Sequence, residues 1–473
     1  MYINGQWSTT EHTFPVYNPA TGEEIGHMPD GSQVEARQAI EAANAAQREW
    51  AATTAYARSA ILYRAYQLML ARKSELAELM TREQGKPLKA ATAEVQYGAD
   101  FLLWFAEEAK RVYGEMIPSA RADQRFMVYY QPVGVVGAIT PWNYPISMIT
   151  RKVAPALAAG CTIVLKPAEA TPFCAKAIFE ILAEAGVPAG VANLVTAADP
   201  RPIGTEFCTN PAVKKLTFTG STAVGKKLAQ DAAPQLKRVS MELGGHAPFI
   251  VYPDADPAYA AKGASLVKFL NTGQACISPN RIFVHRQILE PFIQTFSQRV
   301  AKMVAGNGME PGISVGPLIN QAALDKVDNQ VQEAMGQGAI LHNGGQQLLN
   351  NNLDCGFFYA PTLLSEVTPE MLIYREETFG PVAGIIPFDD DDDVIAMAND
   401  THYGLAAYVY TQNLSRAIRA FEGLNFGIIG INDINPTSAA APFGGMKESG
   451  LGREGAREGI MEYLETKLGG FSI

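Results

Sequence analysis

Of the five cysteines in the chain, Cys276 stands in a segment that a substrate could approach. It ends the stretch Asn271-Thr272-Gly273-Gln274-Ala275-Cys276, which follows a helical pattern running through Phe269. The glycine and small residues of this stretch predict a turn, and a loop thiol beside main-chain N–H groups can ionise and be reached. Cys161 and Cys174 lie in apolar or alanine-rich contexts, where a cysteine is usually a small core residue. Cys276 is therefore the candidate nucleophile.

A carboxylate ends a predicted strand just before a glycine turn. In Met241-Glu242-Leu243-Gly244-Gly245 the strand places Glu242 at its carboxyl end, which in a doubly wound sheet faces the ligand crevice. Glu242 could be a general base. It could equally be an ion-paired glutamate at the end of a strand, and the residues alone leave both interpretations open.

Two further segments carry polar groups after strands. Pro141-Trp142-Asn143-Tyr144-Pro145 follows an apolar run, and its prolines could aim the Asn143 amide as an oxyanion donor or could make a structural turn. The segment from Thr217 to Gly225 predicts a strand, a glycine turn and a helix start, which suit a phosphate. The literal G-x-G-x-x-G at Gly450-Leu451-Gly452-Arg453-Glu454-Gly455 lacks a preceding strand and a following βαβ unit, so we interpret it as a loop entering a late helix.

The elements that must position these groups change in character along the chain. Helical patterns dominate residues 33–113, beginning at a capping box in Ser32-Gln33-Val34-Glu35, with one helix expected over 56–84 and another over 88–113. Apolar runs then alternate with helical stretches, first over 125–252 and again from about Gly263, which predicts two parallel α/β sheets. The aspartates at 389–393 read as a solvated loop before a helix near Val394, because they lack the spaced ligands of a calcium loop.

Whole-chain properties exclude several classes of function. The 473 residues suggest two to four domains, and 47% hydrophobic with 18% charged residues is the composition of a folded globular protein. The net charge of −10 argues against nucleic acid and anionic lipid as main partners. No run of apolar residues is long enough for a transmembrane helix, and the polar start gives no secretory signal. We expect a cytoplasmic protein without a metal site.

Taken together, seven segments in order resemble the aldehyde dehydrogenase superfamily over nearly the whole chain. They are Pro141-Trp142-Asn143, Leu165-Lys166-Pro167-Ala168-Glu169, Phe218-Thr219-Gly220-Ser221, Glu242-Leu243-Gly244-Gly245, Gly273-Gln274-Ala275-Cys276, Glu377-Thr378-Phe379-Gly380-Pro381 and Pro442-Phe443-Gly444-Gly445.

The resemblance implies a catalytic role for three of these residues. Cys276 would attack the aldehyde carbon, while the Asn143 side chain and the Cys276 N–H would hold the oxyanion. Glu242 would then activate the water that hydrolyses the thioester.

The resemblance also implies a dinucleotide site. Its residues would be Thr140, Trp142, Lys166, Pro167, Ala168, Glu169, Gly220, Ser221, Leu243, Glu377 and Phe379. NADP-preferring relatives often carry a small or hydroxyl residue where this chain has Glu169. A carboxylate accepts hydrogen bonds from a free ribose but repels a 2′-phosphate, so we expect NAD rather than NADP.

Within the superfamily the chain is most similar to succinate-semialdehyde dehydrogenases. The segments concerned are Thr81-Arg82-Glu83-Gln84-Gly85-Lys86-Pro87, Trp104-Phe105-Ala106-Glu107-Glu108, Ile149-Thr150-Arg151-Lys152 and the glycine pattern at 450–455. This similarity implies that Arg151 binds the distal carboxylate of the substrate, a task that suits the guanidinium fork. A surface arginine at a helix start is the alternative. Thr437 and Ser438 are further candidate donors.

Two positions depart from that group. Leu270 stands where a second arginine is common, and Ser278 stands where many members carry a second cysteine. The pocket could therefore take glutarate semialdehyde, 2-oxoglutarate semialdehyde or sulfolactaldehyde, and a broad aliphatic or aromatic aldehyde dehydrogenase is the next alternative. A CoA-acylating enzyme and a non-enzymatic relative fit less well, because the Cys276, Glu242 and Asn143 set is intact.

The resemblance implies an α/β architecture of three parts. A Rossmann-type NAD-binding domain would cover 1–118 and 132–245, an α/β catalytic domain 246–445, and a β oligomerisation arm 119–131 with 446–473. Because a protruding strand exposes unpaired main-chain groups, we expect a homodimer or a homotetramer.

Overall fold

A computed structural model describes residues 1–350 and 353–473 of the chain. Its helices are α1 (Gln33–Ala52), α2 (Ala55–Ala71), α3 (Lys73–Gln84), α4 (Leu88–Glu108), α5 (Ser147–Ala159), α6 (Pro172–Ala185), α7 (Arg201–Thr209), α8 (Thr222–Ala232), α9 (Pro257–Phe269), α10 (Leu289–Val300), α11 (Gln321–Gly336), α12 (Leu372–Arg375), α13 (Asp391–Asn399), α14 (Leu414–Gly423) and α15 (Ala456–Met461). Its strands are β1 (Tyr2–Ile3), β2 (Gln6–Trp7), β3 (Thr13–Tyr17), β4 (Glu24–Pro29), β5 (Glu115–Ile117), β6 (Gln124–Pro132), β7 (Val135–Ile139), β8 (Thr162–Lys166), β9 (Ala192–Leu194), β10 (Val213–Thr219), β11 (Arg238–Glu242), β12 (Ala247–Val251), β13 (Pro279–His285), β14 (Ile340–Asn343), β15 (Thr362–Ser365), β16 (Val382–Phe388), β17 (Ala406–Tyr410), β18 (Ile428–Ile431), β19 (Gly450–Leu451) and β20 (Leu464–Ser472).

The first large sheet has the order β19-β11-β10-β7-β8-β9-β1-β2, and its five strands from β11 to β9 are parallel. Ile139 lies opposite both Phe218 and Lys166, and Thr219 lies opposite Glu242. These strands therefore end at the same edge. Helices α2 to α6 pack on one face and α1, α7 and α8 on the other. Because both faces are covered, these five strands are mostly buried.

The second large sheet has the order β14-β15-β16-β13-β12-β17-β18. All neighbouring strands in it are parallel except the edge pair β14 and β15. Helices α9 and α10 pack on one face, and α11, α13 and α14 on the other. Two doubly wound sheets are the architecture that the alternating pattern predicted.

The third sheet is antiparallel, with the order β20-β6-β5. In it β20 pairs with β6 over nine residue pairs, from Leu464 opposite Pro132 to Ser472 opposite Gln124. The chain before Leu464 lies elsewhere, because β19 pairs with β11 and sets Gly450 opposite Glu242. The C-terminal segment is thus shared between the antiparallel arm and the first sheet.

Helix boundaries differ from expectation in three places. The helix expected over 56–84 is two helices, because Arg72 between them has φ −97° and ψ 16°. The next helix ends at Glu108 instead of reaching Tyr113, and a 3₁₀ turn follows. Helix α13 begins at Asp391, earlier than expected, because the Asp390 side chain accepts hydrogen bonds from the two N–H groups of its first turn.

Among residues 1–350 and 353–473, no helix is both long and apolar enough to cross a membrane. The same residues contain no group of three or more His, Cys, Asp or Glu side chains arranged to hold a metal ion.

Candidate active site

The chain in front of Cys276 makes a left-handed turn. Asn271, Thr272 and Gly273 have φ angles of 50°, 60° and 73°, a conformation that is strained for residues with a side chain. The turn is held from outside, since the N–H of Gly316 donates to Thr272 Oγ1 at 2.9 Å. The surrounding structure therefore fixes the conformation from which Cys276 projects, and the predicted turn is confirmed.

Cys276 lies where two cavities meet. It lines both a cavity of about 250 Å³ and a larger cleft of about 700 Å³. Asn143 lines the cleft, and its side-chain Nδ2 donates to the carbonyl of Gln274 at 3.0 Å. An amide nitrogen carries two hydrogens, so this bond leaves one free. The thiol and the amide border the same space, as the oxyanion interpretation of Asn143 requires.

The thiol of Cys276 is held in its protonated form. Burial, together with the nearby carboxylates of Glu377 and Glu242, raises its pKa to about 12. The Arg151 guanidinium and the N–H of Cys276 itself act in the opposite direction on this pKa. Attack by the sulfur therefore needs a proton acceptor or a change in these charges, because the thiolate is the nucleophile.

Glu242 is buried at the carboxyl end of β11. Neither of its carboxylate oxygens has a hydrogen-bond partner within the described residues. Burial, followed by the charge of Glu454, raises the pKa of Glu242 well above its usual value, while Arg151 and Lys152 lower it. Glu242 is not among the described residues that line the two cavities. A buried carboxyl without partners and with a raised pKa is suited to exchanging a proton with water.

The larger cleft runs along the common edge of the first sheet. Of the residues predicted to bind a dinucleotide, those that line it are Trp142, Gly220, Ser221, Leu243, Glu377 and Phe379. Thr140 and Lys166 lie at the adjacent strand ends, where Thr140 N–H donates to the carbonyl of Lys166 at 3.1 Å. Pro167, Ala168 and Glu169 follow directly in the chain. Six of the eleven predicted residues thus line the cleft, and the other five lie at or directly after neighbouring strand ends of the first sheet.

The polar groups of this edge fit a dinucleotide. The hydroxyls of Thr140, Thr219 and Thr378 are buried without a hydrogen-bond partner in the described part of the chain. Helix α8 starts directly after Ser221, which lines the cleft together with Gly220, so the N-terminus of α8 lies beside the cleft. Ribose and phosphate oxygens suit such donors.

No sequence motif indicated four further residues that line the cleft. Asn320, Ala322, Ala323 and Lys326, at the start of α11, also line it. Lys326 Nζ donates to the main-chain carbonyl of Glu377 at 2.5 Å. The side chain of Glu377 accepts from Gly245 N–H at 2.9 Å, and burial raises its pKa to about 7. Only the folded chain brings α11 beside this motif.

The smaller cavity lies on the other side of Cys276. Arg151 and Thr437 line it as predicted, whereas Ser438 is not among its described lining residues. Leu270 also lines it and is 44% exposed. Sequence analysis missed most of its remaining wall, including Tyr97, Tyr144, Ile277, Asn435 and Phe443. Tyr144 and Phe443 lie within quoted motifs, which is the signal that could have pointed to them.

Arg151 is buried, not a surface arginine at the helix start. Its Nε donates to Glu454 at 2.8 Å, and its guanidinium lies 3.8 Å from the ring centre of Phe443. Its Nη2 is buried and has no hydrogen-bond partner among the described residues. An unpaired buried guanidinium nitrogen is costly, so this group is available to an anionic ligand.

The fold and this site define an aldehyde dehydrogenase. The aldehyde dehydrogenase family model matches residues 7–468, and the chain belongs to that family. It is therefore an oxidoreductase that uses a nicotinamide cofactor.

Two relatives and one solved structure are similar to the chain over nearly its whole length. The chain is 49% identical to a probable succinate-semialdehyde dehydrogenase [NADP(+)] of Sinorhizobium fredii, covering 96% of this chain and 92% of that one. It is 48% identical to a glutarate-semialdehyde dehydrogenase of Pseudomonas putida, covering 98% and 96%. The crystal structure of a succinate-semialdehyde dehydrogenase from Burkholderia pseudomallei superposes with a TM-score of 0.98 at 46% identity, covering 100% and 97%.

Proposed function

We propose that this enzyme oxidises an acid semialdehyde, either succinate semialdehyde or a related compound such as glutarate semialdehyde, to the dicarboxylate, with NAD preferred over NADP. The observation that carries the proposal is the unpaired Nη2 of Arg151, a residue that lines the same cavity as Cys276. A substrate with an aldehyde at one end and a carboxylate at the other places its two groups against these two residues. The names of the two relatives support the same class of substrate.

Cys276 carries the covalent chemistry in this proposal. Its thiol first releases its proton to solvent in the cleft, and the thiolate then adds to the aldehyde carbon. The free N–H of Asn143 and the main-chain N–H of Cys276 stabilise the oxyanion. The bound nicotinamide cofactor supplies the hydride acceptor. Loss of hydride from the substrate carbon leaves a thioester on Cys276.

Glu242 completes the turnover. It takes a proton from water, and the resulting hydroxide attacks the thioester carbon, expels the sulfur and releases the carboxylic acid. Because Glu242 does not line either cavity, we propose that a second water relays the proton from the attacking water to Glu242. A base for water also argues against CoA as the acceptor, and acid formation without added CoA tests that alternative.

Two cations line the smaller cavity, and Arg151 is the one with an unpaired nitrogen among the described residues, because Lys86 is bonded to Glu94 and to the carbonyl of Asn143. Glu454 and Phe443 hold Arg151 from two sides, and Thr437 adds a hydroxyl. Leu270 contributes an apolar side chain and no further charge. We therefore expect tolerance of longer spacers, such as the extra methylene of glutarate semialdehyde. 2-Oxoglutarate semialdehyde and sulfolactaldehyde are further candidates of the same anionic class.

The preference for NAD rests on Glu169. Its carboxylate is about half exposed and accepts an ion pair from Lys166 at 3.1 Å. A 2′-phosphate bound here would be repelled by the Glu169 carboxylate. The Lys166 ammonium would not offset this repulsion, because it is already paired with Glu169. At least two relatives, each nearly half identical to the chain, are named for NADP(+), so the test compares both cofactors. Glu169→Ser is expected to raise activity with NADP relative to NAD, and wild-type enzyme that uses both equally would remove this part of the proposal.

For the assembly we propose a homodimer or a homotetramer built on the arm. Its three-stranded sheet exposes Met116, Met127, Tyr129, Leu468 and Phe471, an apolar surface that a second copy could cover. We also retain the division into a cofactor domain, a catalytic domain and an arm. All five cysteines are free thiols, which supports a reducing compartment such as the cytoplasm.

The experiment that tests the proposed function follows reduced cofactor with a panel of aldehydes. The panel contains succinate, glutarate and 2-oxoglutarate semialdehydes, sulfolactaldehyde, and neutral aliphatic and aromatic aldehydes, each with NAD and with NADP. A strong preference for the anionic aldehydes supports the proposal. Equal kcat/KM for neutral aldehydes would instead make the enzyme a broad-specificity aldehyde dehydrogenase.

A further inference from the structure

The wall of the smaller cavity contains a buried ion pair that the proposed chemistry does not use. Lys86, in the link between α3 and α4, bonds through Nζ to the carboxylate of Glu94 on α4, and each side chain is only 1% exposed. Lys86 Nζ also lies 4.1 Å from the ring centre of Tyr144. Removing two charges from water is costly, and replacing such a pair by apolar residues is often harmless to stability. Stability alone therefore does not explain the pair, and its role follows from what Lys86 and Glu94 contact.

One of these contacts reaches the oxyanion residue. Lys86 Nζ donates to the main-chain carbonyl of Asn143 at 2.7 Å, and Asn271 Nδ2 donates to the same oxygen at 2.9 Å. The Asn143 side chain in turn donates to Gln274. Asn143 lies in a segment outside helices and strands, so its main chain lacks their regular hydrogen bonds. The bonds from Lys86 and Asn271 hold it instead.

Glu94 fixes the position of Lys86. Its Oε1 accepts from the N–H of Ile146 at 3.0 Å and from the N–H of Ser147 at 3.2 Å. These are first-turn donors of α5, whose own capping residue, Ile146, has no polar side chain to accept them. A carboxylate at a helix N-terminus is favourable, so Glu94 is a rigid counter-ion and Lys86 has little freedom to move.

We propose that Lys86 is a positioning residue for the oxyanion hole, which acts by holding the main chain at Asn143. Lys86 contacts the main chain of Asn143, whereas the Asn143 side-chain amide would contact the reacting oxygen. This inference rests on the proposed role of Asn143 and is independent of whether the substrate is anionic. It should therefore hold for any aldehyde that the enzyme oxidises.

The test is a double-substitution cycle of Lys86→Met and Asn143→Ala, with kcat and KM measured on propanal and on glutarate semialdehyde. Lys86→Met alone is expected to lower kcat about 10- to 100-fold, with KM and cofactor affinity changed less than about threefold. In the Asn143→Ala background the same substitution should lower kcat less than about threefold, because its target is gone.

The matched control is Lys215→Met. Lys215 is a buried lysine whose Nζ donates to Ser240 Oγ at 2.5 Å and pairs with Glu462 at 3.4 Å, in the first sheet away from the cavities. It should lose thermal stability and keep kcat. If Lys86→Met does not fold, Lys86→Met with Glu94→Gln leaves no unpaired buried charge and enters the same cycle.

Three outcomes distinguish the ideas. Non-additive losses of kcat support the positioning role. A folded Lys86→Met enzyme with unchanged kcat, or a loss that is undiminished in the Asn143→Ala background, overturns it. Unchanged kcat for Asn143→Ala itself would overturn the proposed role of Asn143, whatever Lys86 does.

Discussion

The side-chain amide of Asn143 donates to the main-chain carbonyl of Gln274 at 3.0 Å, two residues before the proposed nucleophile Cys276. This bond joins the loop after β7 in the first sheet to the loop after α9 in the second unit. It leaves one amide hydrogen unused, at the edge of the space that the thiol also borders. Donor and nucleophile are thus fixed relative to each other before any substrate arrives.

Substitution of Asn143 tests the oxyanion role. Asn143→Ala is expected to lower kcat about 10²- to 10³-fold, the cost of losing one oxyanion donor. KM should change far less, because the donor acts most strongly on the charge that develops during attack. Steady-state kinetics with circular dichroism as a folding check measure the effect. A folded variant with a less than about threefold loss of kcat would contradict the role.

Substitution of Glu242 separates the two halves of the reaction. Glu242→Gln keeps the shape but removes the base, so one equivalent of reduced cofactor should form in a burst and steady turnover should fall by about 10²-fold or more. Mass spectrometry should detect the acyl group on Cys276. Loss of the burst together with turnover would mean that Glu242 is needed before the thioester, contrary to the assignment.

The pKa of Cys276 predicts how its reactivity depends on pH. Because burial raises this pKa to about 12, the thiolate fraction of the cofactor-free enzyme should grow about tenfold for each unit between pH 7 and pH 9. The rate of alkylation by iodoacetamide measures this fraction. A Cys355→Ser background removes the exposed thiol that would also react. A rate that levels off below about pH 8 would show that a partner stabilises the thiolate.

Local signals predicted much of the fold. The capping box at Ser32 is present, with Glu35 bonded back to the Ser32 N–H at 2.8 Å, and the strand predicted to end at Glu242 has the expected bounds. Gly85, the residue after the expected helix end at 84, has the left-handed φ of 90°. The break at Arg72 carries no glycine or proline, so no local signal predicted it.

The site was predictable as far as its motifs extend. Cys276, Asn143 and the strand-end residues were found because each lies in a recognisable local pattern. Arg151 was also found, but its pairing with Glu454, which lies 303 residues later, was not. The contact between Lys86 and Asn143, which are 57 residues apart, was also not predicted. Such contacts depend on tertiary packing, which no short pattern encodes.

The most direct measurement compares wild-type and Arg151→Gln enzymes on glutarate semialdehyde and on pentanal. Glu454 keeps its bond from Lys152 at 2.5 Å, so this substitution leaves no unpaired carboxylate. The ratio of kcat/KM for the anionic aldehyde to that for the neutral one should fall about 10- to 100-fold, through loss of the anionic substrate alone. An unchanged ratio, or an equal fall with both aldehydes, would contradict the assignment of Arg151 to the substrate's carboxylate.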